Sequence, residues 1–278
     1  MRGKNSSDSD PELVIIGARS NLTQSLQNKA AAIVIPTSLM LDTSDSISVP
    51  KNLPLIINAF QPATQLSDLT DPIAYIDRSL LVLARSLAWA KSAHCSKIIY
   101  TSSAVVYGDN QDCREDDAIQ IHGLHSALKA AAEQLTSNFA SNSDLDYTIV
   151  RLFNLYGSQD RFSVIYRLLQ AVKTKTQFQL INSGNALRDF THVSDATNAY
   201  LGLLKHDSPT ILNVGSGRGI TVDNFIQLIS ELGVELKINN IERTEVKACV
   251  ANVEKLKKSI NVDGFQNPLT YLTEQIQP

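Results

Sequence analysis

The chain of 278 residues, 43% of them hydrophobic, can bury a large core and suits one large α/β unit plus a small lobe. Its net charge of −3 shows no basic excess, so nucleic acid is excluded as an expected partner. Cys95, Cys113 and Cys249 lack the CxxC spacing of a metal site or a disulfide framework, so ordinary reduced thiols and no metal are expected. No apolar run approaches the roughly 20 residues that span a bilayer, and MRGKNSSDSDPE at the start has no signal-like apolar stretch; a cytoplasmic protein without a membrane partner is expected.

In chain order, residues 1–12 read as a disordered polar tail. Apolar runs at Leu13–Ile16, Ala32–Ile35, Leu55–Asn58, Ile98–Thr101, Tyr147–Leu152 and Ile211–Val214 read as strands, and helical patterns alternate with them, as in a parallel sheet covered by helices. Asp71–Ser92 repeats apolar residues at helical spacing, and a second long helix is expected around His125–Asn138. GARSNLTQSL follows the first strand, where a dinucleotide-binding loop belongs. Glycine lets such a loop turn sharply, and the pyrophosphate then sits on the N–H groups of the next helix.

The segment from Lys97 to Glu133 carries the most chemistry. KIIYTSSAVVYGD is an apolar strand ending in small hydroxyl residues, and HSALKAAAEQL is an alanine-rich helix with Lys129 one turn beyond His125. This order resembles the extended short-chain dehydrogenase/reductase family, the sugar-nucleotide epimerases and dehydratases, with its TSSAxVYG strand end and YxxxK helix. Ser103 and Lys129 fall where the resemblance wants them, and His125 stands at the Tyr position. The resemblance implies that Ser103 hydrogen-bonds the reacting sugar oxygen, that the residue at 125 moves a proton, and that Lys129 serves both catalysis and cofactor. Ser102 is expected to bond locally. Histidine titrates ordinarily near neutrality, at about 6.5, which suits acid–base work; the other reading is a helix-surface residue in a protein that has lost this chemistry.

Further matches follow in order. RLFNLYG makes Asn154 a candidate substrate ligand, and LRDFTHVSDATNAY makes Arg188 a candidate for the substrate diphosphate or, with Asp189, for a structural salt bridge. His192 and Asp195 are expected to hold backbone. IERTEVKACVANVEKLKKSI puts the last diphosphate arginine at Arg243, displaced by one position. Family dehydratases carry Asp-Glu after the hydroxyl; here Ala104 and Val105 stand there, and an apolar pair cannot run that elimination. On the cofactor side, Gly17 keeps the first glycine of GxxGxxG while Ser20 and Thr23 replace the others, so Gly17, Arg19, Ser20, Asn21, Leu22 and Lys129 are the expected contacts. No acid follows the second strand closely, Asp42 coming late, and Arg19 resembles the arginine that meets a 2′-phosphate, which favours NADP over NAD.

The resemblance covers about residues 13–276. It implies a Rossmann-like, doubly wound parallel sheet with a small C-terminal substrate-binding lobe: a dinucleotide-binding domain over 13–157 plus about 188–217, and the lobe over about 158–187 and 218–278. The activity implied is NAD(P)-dependent reduction or epimerisation of a nucleotide-activated sugar, with keto-sugar reduction favoured and a homodimer through the two long helices. The alternative is a catalytically silent relative that binds a nucleotide-sugar or a partner protein.

Overall fold

Strands buried on both faces need unbroken apolar sequence, and LVII at Leu13–Ile16 and LII at Leu55–Ile57 are fully buried. The computed structural model describes residues 10–42, 47–59, 71–158, 160–204 and 208–277; most of the expected N-terminal tail, residues 1–9, lies outside them. In chain order the described elements are β1 Leu13–Ile16, α1 Asn21–Gln27, β2 Ala32–Ile35, α2 Thr37–Leu41, β3 Leu55–Ile57, α3 Pro72–Ser92, β4 Lys97–Ser103, β5 Asn110–Cys113 and α4 Leu124–Asn142. Then come β6 Asp146–Leu152, β7 Asn154–Tyr156, α5 Val164–Thr174, β8 Phe178–Ile181, β9 Leu187–His192, α6 Val193–Leu203, β10 Ile211–Val214, β11 Gly219–Thr221, α7 Val222–Glu231, β12 Ile238–Ile241, β13 Ala248–Ala251, α8 Glu254–Lys257 and α9 Pro268–Ile276. The six strands expected from sequence are present within two residues at either end, as β1, β2, β3, β4, β6 and β10.

By its contacts the chain divides into two units, residues 1–100 with 135–147, and residues 101–134 with 148–278. Parallel pairing runs β2–β1–β3–β4 in the first unit and β10–β6 in the second. Strand order reverses between β1 and β3, and at such a switch point α/β sheets bind ligands beyond the carboxyl ends of the strands. In the first unit, Asp71 caps α3 by accepting from Ala74 N–H at 3.0 Å, with Pro72 at the first helical position. The buried stripe of α3 includes Ser79 and Ser86, whose hydroxyls donate back to the carbonyls of Tyr75 and Val82 at 2.8 and 2.7 Å, so neither is left unbonded in an apolar face.

The second unit adds a five-stranded sheet, β11-β9-β13-β5, with β7 also paired to β9. Its interior is held by polar groups as well as apolar ones. Glu133, 1% exposed, accepts from Ser102 Oγ at 2.5 Å and from Arg151 Nη2 at 2.9 Å. Arg151 also donates to Glu115 O at 3.2 Å and lies 4.8 Å over the Tyr107 ring. Asp189, fully buried on β9, accepts from the N–H groups of Ser216, Gly217 and Ala251 and from the Ser216 hydroxyl, which fixes the turn after β10 against β13.

Removing one partner of a buried ion pair strands the other charge, at a cost of about 3–5 kcal/mol. Glu133→Ala is therefore expected to lower unfolding stability by about that much. Urea denaturation measures it, and a loss below about 1 kcal/mol, the scale of an exposed pair, would show that Arg151 does not depend on Glu133.

Candidate active site

The loop after β1 is a closed cluster of small polar groups. Gly17 has φ of 115°, and a Cβ there would sit 2.2 Å from Asn58 O, so a side chain is excluded on both counts. Thr23 Oγ1 donates to Gly17 O at 2.7 Å; Ser20 caps α1, accepting from Thr23 N at 3.0 Å. Asn58, just past β3, donates from Nδ2 to Ser20 Oγ at 2.5 Å and to Thr23 Oγ1 at 3.0 Å. Arg19 is exposed, Asn21 half-buried and Leu22 buried. Asp42, the late acid, follows α2 at its C-cap.

In the second unit the end of β4 sends alternate residues to different tasks. Thr101 accepts a hydrogen bond from Tyr200 Oη at 2.9 Å, and its carbonyl accepts from Lys129 Nζ at 2.9 Å. Ser102 turns inward and donates to Glu133 on α4, 31 positions on, where a local partner was expected. Ser103 starts a 3-10 turn, its hydroxyl accepting from Val105 N at 3.3 Å, and lines a cavity of about 320 Å³. Asn154 and Arg188 line the same cavity, so three residues separated by 51 and 34 positions meet in one wall. His125, Lys129 and Arg243 are not among its lining residues.

Arg188 is bonded to Glu245 Oε2 at 3.1 Å and to the carbonyls of Leu187 and Val246. Its ion-pair partner is thus Glu245 and not Asp189, which points to the opposite face of β9 and is consumed by backbone N–H groups. Arg243 is exposed, and its backbone is tied to the Asn182 side chain. His192 caps α6 and Asp195 accepts from Gln266 N, the backbone roles expected of both.

A family model described as the NAD dependent epimerase/dehydratase family matches residues 9–215. The chain belongs to this family. Similar proteins are a UDP-glucuronate 4-epimerase of Thermodesulfobacterium geofontis, 25% identical over 76% of this chain and 70% of its own length, and protein CapI of Staphylococcus aureus, 24% identical over 79% and 74%. Among solved structures, MoeE5 in complex with UDP-glucuronic acid and NAD superposes with a TM-score of 0.80 at 22% identity, covering 96% of this chain and 98% of that one. The NAD-dependent NDP-hexosamine 5,6-dehydratase TunA gives 0.81 at 19%, covering 96% and 98%. These two likenesses establish the Rossmann-like fold. No described helix is long and apolar enough to cross a membrane.

Two groups on α4 have shifted protonation. Burial, aided by Lys129 one turn away, pushes the His125 pKa down to about 4, so a neutral imidazole is the resident form at pH 7. Burial pushes Lys129 down to about 7, the Glu133 carboxylate opposing it only in part. Lys129, and not His125, is the group that titrates near neutrality. Sequence reading also missed Glu133 as the clasp of the strand end, Glu245 as the partner of Arg188, and Cys249 in the cavity wall. The AAAE run hinted at the first; nothing local marks the other two.

The Lys129 shift has a sign that can be tested. Between pH 7 and the ordinary 10.5 the unfolded chain binds a proton that the folded chain has lost, so this group makes stability rise with pH across that window and weighs against folding below it. Lys129→Met is therefore expected to raise the melting temperature at pH 6, by about 2–4 °C per kcal/mol relieved, with the gain shrinking toward pH 9. Scanning calorimetry at both pH values decides; a variant destabilised equally at each would mean that the ammonium is not strained.

Proposed function

We propose that this protein moves hydride and a proton between a nicotinamide cofactor and a nucleotide-activated sugar, with reduction of a keto sugar the favoured direction. The observation that carries the reading is the single cavity shared by Ser103, Asn154 and Arg188. A hydroxyl donor for a reacting oxygen, an amide and a guanidinium suited to phosphate oxygens together match a sugar diphosphate. The T. geofontis relative bears the name of a 4-epimerase; epimerisation uses the same hydride step in both directions, and it is the neighbouring reading.

The first unit's loop fits a dinucleotide: Gly17 keeps the backbone bare, and the small hydroxyls of Ser20 and Thr23 bond to one another and to Asn58. Gly17, Arg19, Ser20, Asn21 and Leu22 would hold it, with Lys129 as a further contact. The cofactor supplies the hydride when bound. The family description favours NAD, and exposed Arg19 supports NADP, which we retain as the preferred form.

In this reading Ser103 donates to the sugar oxygen, Asn154 and Arg188 hold the nucleotide part, and Arg188 exchanges Glu245 for phosphate oxygens. His125 passes a proton as a neutral imidazole, and Lys129, half-protonated near pH 7, resupplies it. With its pKa pushed down to about 4, the half-buried His125 ring does not serve as a histidinium donor near neutrality. Calorimetric titration with NADPH and NADH, followed by turnover on 4-keto sugar nucleotides, tests the proposal. Reduction should fall as pH rises through about 7, because the donor form of Lys129 is lost there, and His125→Phe should abolish turnover with cofactor affinity unchanged. Absence of heat with either cofactor would overturn the enzyme reading and leave the silent relative, which the histidine at the family's tyrosine position favours.

Arg188→Ala should weaken nucleoside diphosphate binding roughly tenfold to a hundredfold, the worth of a charged hydrogen bond, while the protein stays folded. Collapse of stability with unchanged nucleotide binding would make Arg188 structural. The partner copy of a homodimer would meet the first unit at α3 and α4, where Ile73, Leu81 and Leu135 are exposed. Light scattering at micromolar concentration should then give twice the 30.5 kDa chain mass, and a monomer would remove this element.

A further inference from the structure

The cavity wall holds a nucleophile for which the hydride chemistry has no use. Cys249, on β13, lines the cavity beside Arg188, and its Sγ lies 3.8 Å from Sγ of Cys113 on the parallel neighbour β5. Both thiols are buried in the fold, Cys113 completely and Cys249 at 7% exposure, and the β5–β13 register is irregular between Cys249 and Ala251. Each thiol also lies against a carbonyl, Cys113 at Asn110 O and Cys249 at Ala104 O. We propose that Cys249 is a hydroperoxide-sensitive thiol of this cavity, with Cys113 as its resolving partner, so that oxidation joins β5 to β13 through a disulfide.

The two sulfurs are unequal. The Cys113 thiol beside it holds Cys249 below the ordinary thiol range, helped by Arg188 and opposed by burial and the carboxylates of Asp189 and Asp109. The same contact, with burial, pushes Cys113 up. Of the two, Cys249 is therefore the readier to give up its proton, and Cys113 lies within reach to resolve it. Cys95, buried in the first unit with its thiol pushed up to about 11, serves as an internal comparison.

The chemistry balances with hydrogen peroxide, the simplest hydroperoxide, as the named oxidant. The Cys249 thiolate attacks the peroxide oxygen, the O–O bond breaks, and Cys249 becomes a sulfenic acid as hydroxide leaves. The sulfur of Cys113 then attacks the sulfenyl sulfur, its proton goes to the departing hydroxyl, and water is released. In total two thiols are oxidised and one peroxide is reduced to two waters. The sulfurs must close from 3.8 Å to about 2 Å, which moves Cys249 Sγ relative to Arg188 in the wall.

Mass spectrometry on the intact folded chain tests this without any assumption about turnover. After brief treatment with hydrogen peroxide, denaturation and alkylation, a peptide cross-linked between Cys113 and Cys249 should appear and revert with dithiothreitol, while Cys95 remains alkylated. Cys113→Ala should stop the reaction at a sulfenic acid on Cys249 that dimedone captures, and Cys249→Ala should leave Cys113 reduced. The proposal is overturned if Cys95 oxidises as fast as Cys249, if no cross-link forms in the wild type, or if Cys113 reacts at the wild-type rate in Cys249→Ala.

Discussion

The Glu133 carboxylate is the group on which the second unit's chemistry depends. It sits one turn beyond Lys129 on α4, receives the hydroxyl of the residue before Ser103 and is forked by Arg151 from β6. A carboxylate so deeply buried is tolerated because nearly all its acceptor capacity is filled. That saturation leaves Lys129 to the Thr101 carbonyl in a dry setting, where the pull of Glu133 is weaker than desolvation. The clasp holds the strand end, while burial, which Glu133 offsets only in part, leaves Lys129 with a proton exchangeable near neutrality.

Arg188 shows a related economy. Its guanidinium is held at the cavity by Glu245 and two carbonyls, so its direction is set before any ligand arrives. An anion reaching it competes with a carboxylate already there. Affinity at this point is a difference between two ion pairs, which rewards a ligand carrying more than one negative charge.

Much of this was legible in the sequence because it is local. Strand runs, the Asp71–Pro72 helix start and the serine before AxVYG are written within a few residues of where they act. The capping histidine and the buried Asp189 likewise fell inside recognisable strings. What escaped joins distant positions: Arg188 to Glu245, 57 residues on, and Cys113 to Cys249, 136 residues on. The protonation of His125 escaped for another reason. An ordinary pKa of 6.5 describes an exposed ring, and whether position 125 is wet or dry is decided by packing that no helical pattern records.

The cofactor loop has a consequence of this kind as well. Two of its expected glycines are Ser20 and Thr23, and Asn58 ties both down from the end of the neighbouring strand β3. Residues with a Cβ leave fewer conformations open to the unfolded chain, and the cross-brace removes those that remain in the native one. The loop has therefore lost its freedom on folding, and a ligand that docks there finds a surface already frozen into shape.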